Sequence, residues 1–154
     1  MAKEVVTTSI LMIAAVVAAT VAITVMTPAV RDLAHSYTSV SGKLSDKIQT
    51  DAEIIFVRTS DSGSGTEIDF WIKNLGKSMN KDLLERGDLF IYSDTYYKHI
   101  TSFNVSIENG DGDNQWERGE TAKISFNVED TLSGDYTITY VFYNGVKISD
   151  VFSR

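Results

Sequence analysis

Apolar side chains run from Val5 to Val30 with no charged residue among them, and beyond residue 52 they alternate with polar ones in short bursts. The first pattern is that of a helix apolar all round; the second is that of strands with one face each. As a helix the uncharged run reaches about 39 Å at 1.5 Å per residue, against a bilayer hydrocarbon layer of roughly 30 Å. A cleaved secretory signal has an apolar region of only about 7–15 residues, and a single domain of about 100 residues cannot enclose such a helix. The pattern therefore predicts a membrane-spanning or filament-core helix over residues 5–30, behind a short tail at 1–4 that stays in the cytoplasm.

Inside the run, Ala14, Ala18 and Ala22 recur every fourth position. Small residues at that spacing let helix backbones approach closely, although alanine is also tolerated against lipid. Pro28, the only proline, lacks a backbone N–H and predicts a kink near the membrane exit. Past it, Met26, Val30, Leu33, Tyr37, Val40 and Leu44 follow alternating steps of four and three, an a/d seam, while Arg31, Asp32, Lys43, Asp46 and Lys47 lie off it. That predicts an amphipathic stalk over 31–52. The stalk either self-associates into a homo-oligomer or filament or folds back on its own domain.

From residue 53 to 154 the bursts read as strands: EIIFVRT (53–59), TEIDFWIKN (66–74), DLFIYSD (88–94), YYKHI (96–100), SFNVSIEN (102–109), TAKISFNVED (121–130), DYTITYVFY (135–143) and VKISDVF (146–152). Ile68, Phe70 and Ile72 alternate with polar residues, as do Ile124, Phe126 and Val128. Strands of this number and patterning predict an all-β sandwich, so the class is α+β. Asn144-Gly145 between two such runs predicts a type I′ hairpin.

Charge sharpens the partition. The net charge of −7 lies entirely beyond residue 52, where ten Lys and Arg face seventeen Asp and Glu. An acidic surface repels phosphate backbones, which excludes nucleic acid as a partner. With no cysteine there is neither a disulfide nor a thiolate site, and two histidines, His35 and His99, supply zinc chemistry or a Ser-His-Asp relay poorly. No nucleophile and base pair stands out, so the chain reads as non-enzymatic with no cofactor.

Two local motifs carry candidate chemistry. In NGDGDNQWERGE (109–120), Asn109, Asp111, Asp113, Glu117 and Glu120 fall on positions 1, 3, 5, 9 and 12 of a calcium-loop template, with the Gln115 carbonyl at 7. Such oxygen ligands suit Ca²⁺. Against it, Asn stands at position 1, Asn114 replaces the template glycine, and the flanks are strands; a plain loop rich in Asp, Asn and Gly explains the same composition. Asn104-Val105-Ser106 is an N-glycosylation sequon whose alternation puts Asn104 on the solvent face, a sign of export.

The short amino terminus, the Ala/Val/Ile helix and a sandwich carrying FWIKNLGK (70–77), WERGE (116–120) and NGVKISDVFS (144–153) resemble the archaellum stator proteins of the FlaG/FlaF family, FlaG more than FlaF. The resemblance implies an Ig-like sandwich outside the cell membrane and single-pass anchoring. It also implies self-assembly, a FlaF-type protein and the surface layer as partners, and a role holding the motor against rotation. It implies kinship with archaellins and type IV pilins, whose apolar helices form filament cores. Prepilins carry a basic leader ending in Gly, and Lys3-Glu4-Val5 lacks that junction. A filament subunit of the archaellin or pilin kind, and a membrane-anchored adhesin or sugar-binding module, are the alternatives.

Overall fold

In the computed structural model, which describes residues 2–63 and 65–154, the uncharged run and the seam form one helix, α1 (Ala2–Gln49). It continues through Pro28, and none of its residues is buried. By compactness the chain divides into Met1–Leu44 and Ser45–Arg154, so the last helical turn belongs with the strands.

Among the described residues ten strands follow: β1 (Ala52–Asp61), β2 (Thr66–Asn74), β3 (Met79–Asn80), β4 (Asp88–Tyr92), β5 (Tyr97–Ile100), β6 (Asn104–Ile107), β7 (Gln115–Trp116), β8 (Thr121–Val128), β9 (Asp135–Val141) and β10 (Lys147–Ser153). A one-turn helix, α2 (Lys81–Leu84), is capped by the Asn80 side chain, which accepts from the Asp82 N–H. Two four-stranded antiparallel sheets, ordered β1-β2-β8-β6 and β10-β9-β4-β5, face each other, and β3-β7 makes a two-stranded ribbon. Order and pairing are those of an immunoglobulin-type sandwich, with the second strand central to one sheet and β9 central to the other. The Tyr136 hydroxyl, near the start of β9, bonds back to the Ser133 backbone at 3.3 and 3.4 Å, a tyrosine corner.

The alternation read from the sequence is the alternation of burial. Ile68, Phe70, Ile72, Ile124 and Val128 are wholly buried, and Phe126 nearly so. Phe70 meets Phe126 edge-on at 6.2 Å and Tyr140 at 6.4 Å, geometries that aromatic quadrupoles favour. Tyr140 gives its hydroxyl proton to the Leu84 carbonyl, which ties α2 to the core; Gly87 leaves room for that ring.

Three features depart from the sequence reading. First, the β9–β10 loop is not type I′, because among the described residues none other than glycine has positive φ. Gly145 N–H donates to Phe142 O and Phe142 N–H to Val146 O, with Gly145 at φ +80°, giving a three-residue loop with a glycine bulge. Second, a bulge between Ile54 and Phe56 shifts the register of β1, so Phe56 points out and Val57 in. Third, β3 and β7 pair Met79 with Trp116, which is wholly buried and stacks on Phe142 at 6.3 Å.

Candidate anchor, joint and docking faces

α1 is long and apolar enough to cross a membrane: its most apolar 18-residue stretch has mean hydropathy 2.5 and none of it is buried. The three hydroxyls between residues 10 and 30 are all satisfied within the helix. Thr20 donates to Val16 O at 2.8 Å, Thr24 to Thr20 O, and Thr27 to Ile23 O at 2.7 Å. Back-bonding of this kind removes the cost of a bare hydroxyl in hydrocarbon. Ala14, Ala18 and Ala22 are exposed, and Met26, Val30, Leu33, Tyr37, Val40 and Leu44 are 55–75% exposed.

The last turn of α1, from Ser45 to Gln49, is fastened to the sandwich. Tyr143 donates to Asp46 Oδ2 at 2.6 Å, and Asn144 Nδ2 reaches Thr50 Oγ1 at 2.7 Å and Asp46 O at 3.4 Å. From the segment after β2, Lys77 N–H donates to Gln49 O, and the Leu75 and Gly76 N–H groups share Asp51 O, each at 2.9 Å. A Cβ on Gly76 would stand 2.3 Å from Gln49 O, so only glycine fits there. Burial, followed by the bond to Asp46 and its charge, pushes the Tyr143 hydroxyl up to about 12. Nothing in the sequence pointed to this joint: Asn144 read as a turn residue, and Asp46 as a polar position off the seam.

In the 109–120 loop four of the predicted ligand side chains, those of Asn109, Asp111, Asp113 and Glu120, accept backbone N–H groups. Asp111 Oδ1 accepts from Asp113 N–H at 3.1 Å, Asp113 Oδ1 from Gln115 N–H at 2.7 Å, Glu120 Oε2 from Glu117 N–H at 2.8 Å, and Asn109 Oδ1 from Thr121 N–H at 2.6 Å. Gln115 lies in β7. Among the described residues no three Asp, Glu or His side chains converge as metal ligands. Trp116, inside this loop, is held by its Nε1–H on Glu120 O at 3.2 Å, and its carbonyl accepts from Asn74 Nδ2 at 2.8 Å. The loop is a plug for the end of the core.

The outer face of β1-β2-β8-β6 is laid out in rows by register. Asn104, Ser125, Asp69 and Arg58 form one; Ser106, Lys123, Trp71 and Phe56 the next. Asp69, only 2% exposed, is covered by Arg58 at 2.6 Å and Lys123 at 3.2 Å. Burial opposes its ionisation, but the Ser125 hydroxyl, Lys123 and Arg58 outweigh that and hold its carboxyl below the usual range. Phe56 lies 5.3 Å from Trp71, whose other neighbour is Lys123 Nζ at 5.4 Å. On the opposite sheet, Phe90 stacks between His99 at 4.8 Å and Tyr97 at 6.1 Å. Phe56 and Tyr97 are exposed, and Trp71 and Phe90 are half-buried.

Archaeal-type flagellin matches residues 2–152, helix and sandwich together. The chain belongs to that family. An uncharacterized protein of Archaeoglobus fulgidus is 49% identical over 161 aligned positions, covering 99% of each chain. Among solved structures, the sandwich is similar to the archaellum periplasmic stator protein FlaG from Sulfolobus acidocaldarius, with 18% identity and a TM-score of 0.53 over 67% of this chain and 99% of that one. The complex of FlaF and FlaG from the same organism matches with a TM-score of 0.52 and 18% identity, over 67% of this chain and 89% of that one. This family member therefore shares the fold of a stator protein.

Proposed function

We propose that this archaeal-type flagellin family member is a membrane-anchored, non-enzymatic component of the archaellum that works on the stator side. α1 crosses the cell membrane once, residues 1–4 stay in the cytoplasm, and the sandwich stands outside in the pseudoperiplasm. The observation that carries the reading is the FlaG fold of the sandwich, joined in one chain to a helix apolar enough to anchor it.

The mechanism is mechanical. A helix in a fluid bilayer drifts and resists no torque, so the sandwich must hold something rigid: a FlaF-type partner, as in the complex that this domain resembles, or the surface layer. The fastened last turn of α1 suits such a load, because a force on the sandwich reaches the helix through several hydrogen bonds at once. Copies associating along the seam multiply weak holds into a durable one. Cells whose only copy is residues 1–52 should assemble filaments and fail to swim; swimming cells would overturn the reading.

A second reading, a filament subunit, is favoured by the family match and by the exposed seam. In it, α1 leaves the bilayer for a bundle of identical helices. Electron microscopy of the full-length protein in detergent, and after detergent removal, separates the two: long filaments support the subunit, small closed oligomers the stator component. Leu33→Asp should lower self-association in either case.

A further inference from the structure

We propose that the cleft between the β4–β5 turn, the start of β9 and the end of β10 binds a neutral oligosaccharide, independently of the anchoring role. Its volume is about 490 Å³, within the roughly 300–1,000 Å³ usual for small-molecule sites. The turn contributes Ser93, Asp94 and Thr95 to the lining, and the strands contribute Asp135, Thr137 and Val151.

The turn is held in place by other residues. Ser93 N–H donates to Tyr96 O at 2.8 Å, the Tyr96 ring meets Tyr136 edge-on at 5.7 Å, and its hydroxyl donates to Asp130 Oδ2 at 2.8 Å. Tyr136 is fixed in turn by Phe152, stacked at 6.0 Å, and by its corner bonds to Ser133. Asp94, Thr95 and Thr137, by contrast, make no side-chain hydrogen bond among the described residues. A pinned turn that carries uncommitted polar groups is preorganised, so a ligand binds without having to order the backbone around it.

The chemistry of the lining selects the ligand. Sugar hydroxyls donate to carboxylates; Asp94 offers both oxygens, while Asp135 engages Oδ1 with the Ser153 hydroxyl and has a second oxygen left. Sugar oxygens accept from hydroxyls, which Ser93, Thr95 and Thr137 provide. The C–H face of a sugar ring needs an apolar surface, and Val151, 64% exposed, is one. Thr137 and Val151 share a register row with Tyr92 and Tyr97, whose exposed rings extend the site along the sheet for a longer chain. Two carboxylates with no cationic side chain in the lining repel phosphates and other anions. Among the described residues no three acidic or histidine groups converge as metal ligands.

Binding to the full-length protein tests this, measured by saturation-transfer NMR and calorimetry in lauryl dimethylamine oxide, a detergent without a sugar headgroup. Maltose, cellobiose and diacetylchitobiose are the neutral probes, sialyllactose the acidic one and trilysine the basic one. At least one neutral probe should bind, and its affinity should fall about tenfold in Asp94→Ala and again in Thr137→Val, since each removes a hydrogen bond to the ligand. Phe56→Ala, on the outer face of the other sheet, should leave binding unchanged. Asp94 supports nothing in the fold, so Asp94→Ala should keep the melting temperature and its loss of binding reads the site alone. No binding of any neutral probe at millimolar concentration, binding that survives Asp94→Ala, or tighter binding of sialyllactose or trilysine overturns the proposal.

Discussion

Tyr143 donates its hydroxyl proton to Asp46 across 97 residues of sequence, at 2.6 Å, and so joins the β9–β10 loop to the last turn of α1. The same carboxylate lies 4.0 Å from Lys77 Nζ, so the β9–β10 loop and the segment after β2 both hold one helical turn.

Tyr143→Phe should therefore loosen that turn. A hydrogen bond to a carboxylate contributes about 1.5–3 kcal/mol, and the partial exposure of this one brings the expected loss nearer 1 kcal/mol. Amide hydrogen exchange at Thr50 should quicken while the core strands hold. The hydroxyl is raised above its ordinary value of about 10, so its neutral form is the one the fold favours. Its contribution is complete below pH 10 and is lost as pH rises toward about 12, a loss that the phenylalanine variant should not show.

Asp69 titrates in the other direction. Its folded value lies below the ordinary 3.8, so the stability it adds is present above that value and fades as pH falls through the lower one. Asp69→Asn should cost about 1–2 kcal/mol at pH 7, less than a fully buried pair because Arg58 is half exposed. It should also flatten the acid limb of a thermal melt recorded between pH 2 and 5.

Trp116→Ala removes the plug and should cost about 3–5 kcal/mol, read as a fall in denaturation midpoint. Asp113→Ala frees only the Gln115 N–H and should cost about 1 kcal/mol. Because Asp111, Asp113 and Glu120 each accept a backbone N–H of this loop, calorimetric titration of the protein with millimolar Ca²⁺ should show no heat of binding.

Gly76→Ala sets a Cβ against the Gln49 carbonyl, a backbone atom that cannot turn away. Overpacking of that kind costs about 1–3 kcal/mol. Gly112→Ala, at φ +93° in open space, provides the contrast: its penalty is conformational and should leave exchange at Thr50 untouched.

The parts legible in the sequence were those governed by periodicity. Ile68, Phe70 and Ile72 had to share a face because a strand repeats every two residues, and the helix to Gln49 followed from its continuing seam. What depended on register between distant segments was hidden. The run Ile54-Ile55-Phe56-Val57 is apolar throughout, so nothing local said that a bulge turns Phe56 outward. Asn144-Gly145 signals a turn but not its length, which is set by what the Asn144 side chain must reach. Trp116 sat among acidic and glycine residues that resemble a cation loop, and its burial is settled by Met79, 37 positions earlier. Candidate sites fared likewise: Asn104 was visible as a tripeptide, while the joint at Asp46 had no motif to announce it.

Thr20, Thr24 and Thr27 keep their hydroxyls bonded to the helix that bears them. Between residues 10 and 30, α1 consequently asks nothing polar of its surroundings, and lipid tails or the flanks of sister helices meet the same outer surface. Its choice of phase is left to packing alone. Such a helix can be drawn out of a bilayer and set among its copies without breaking any of these hydroxyl bonds on the way.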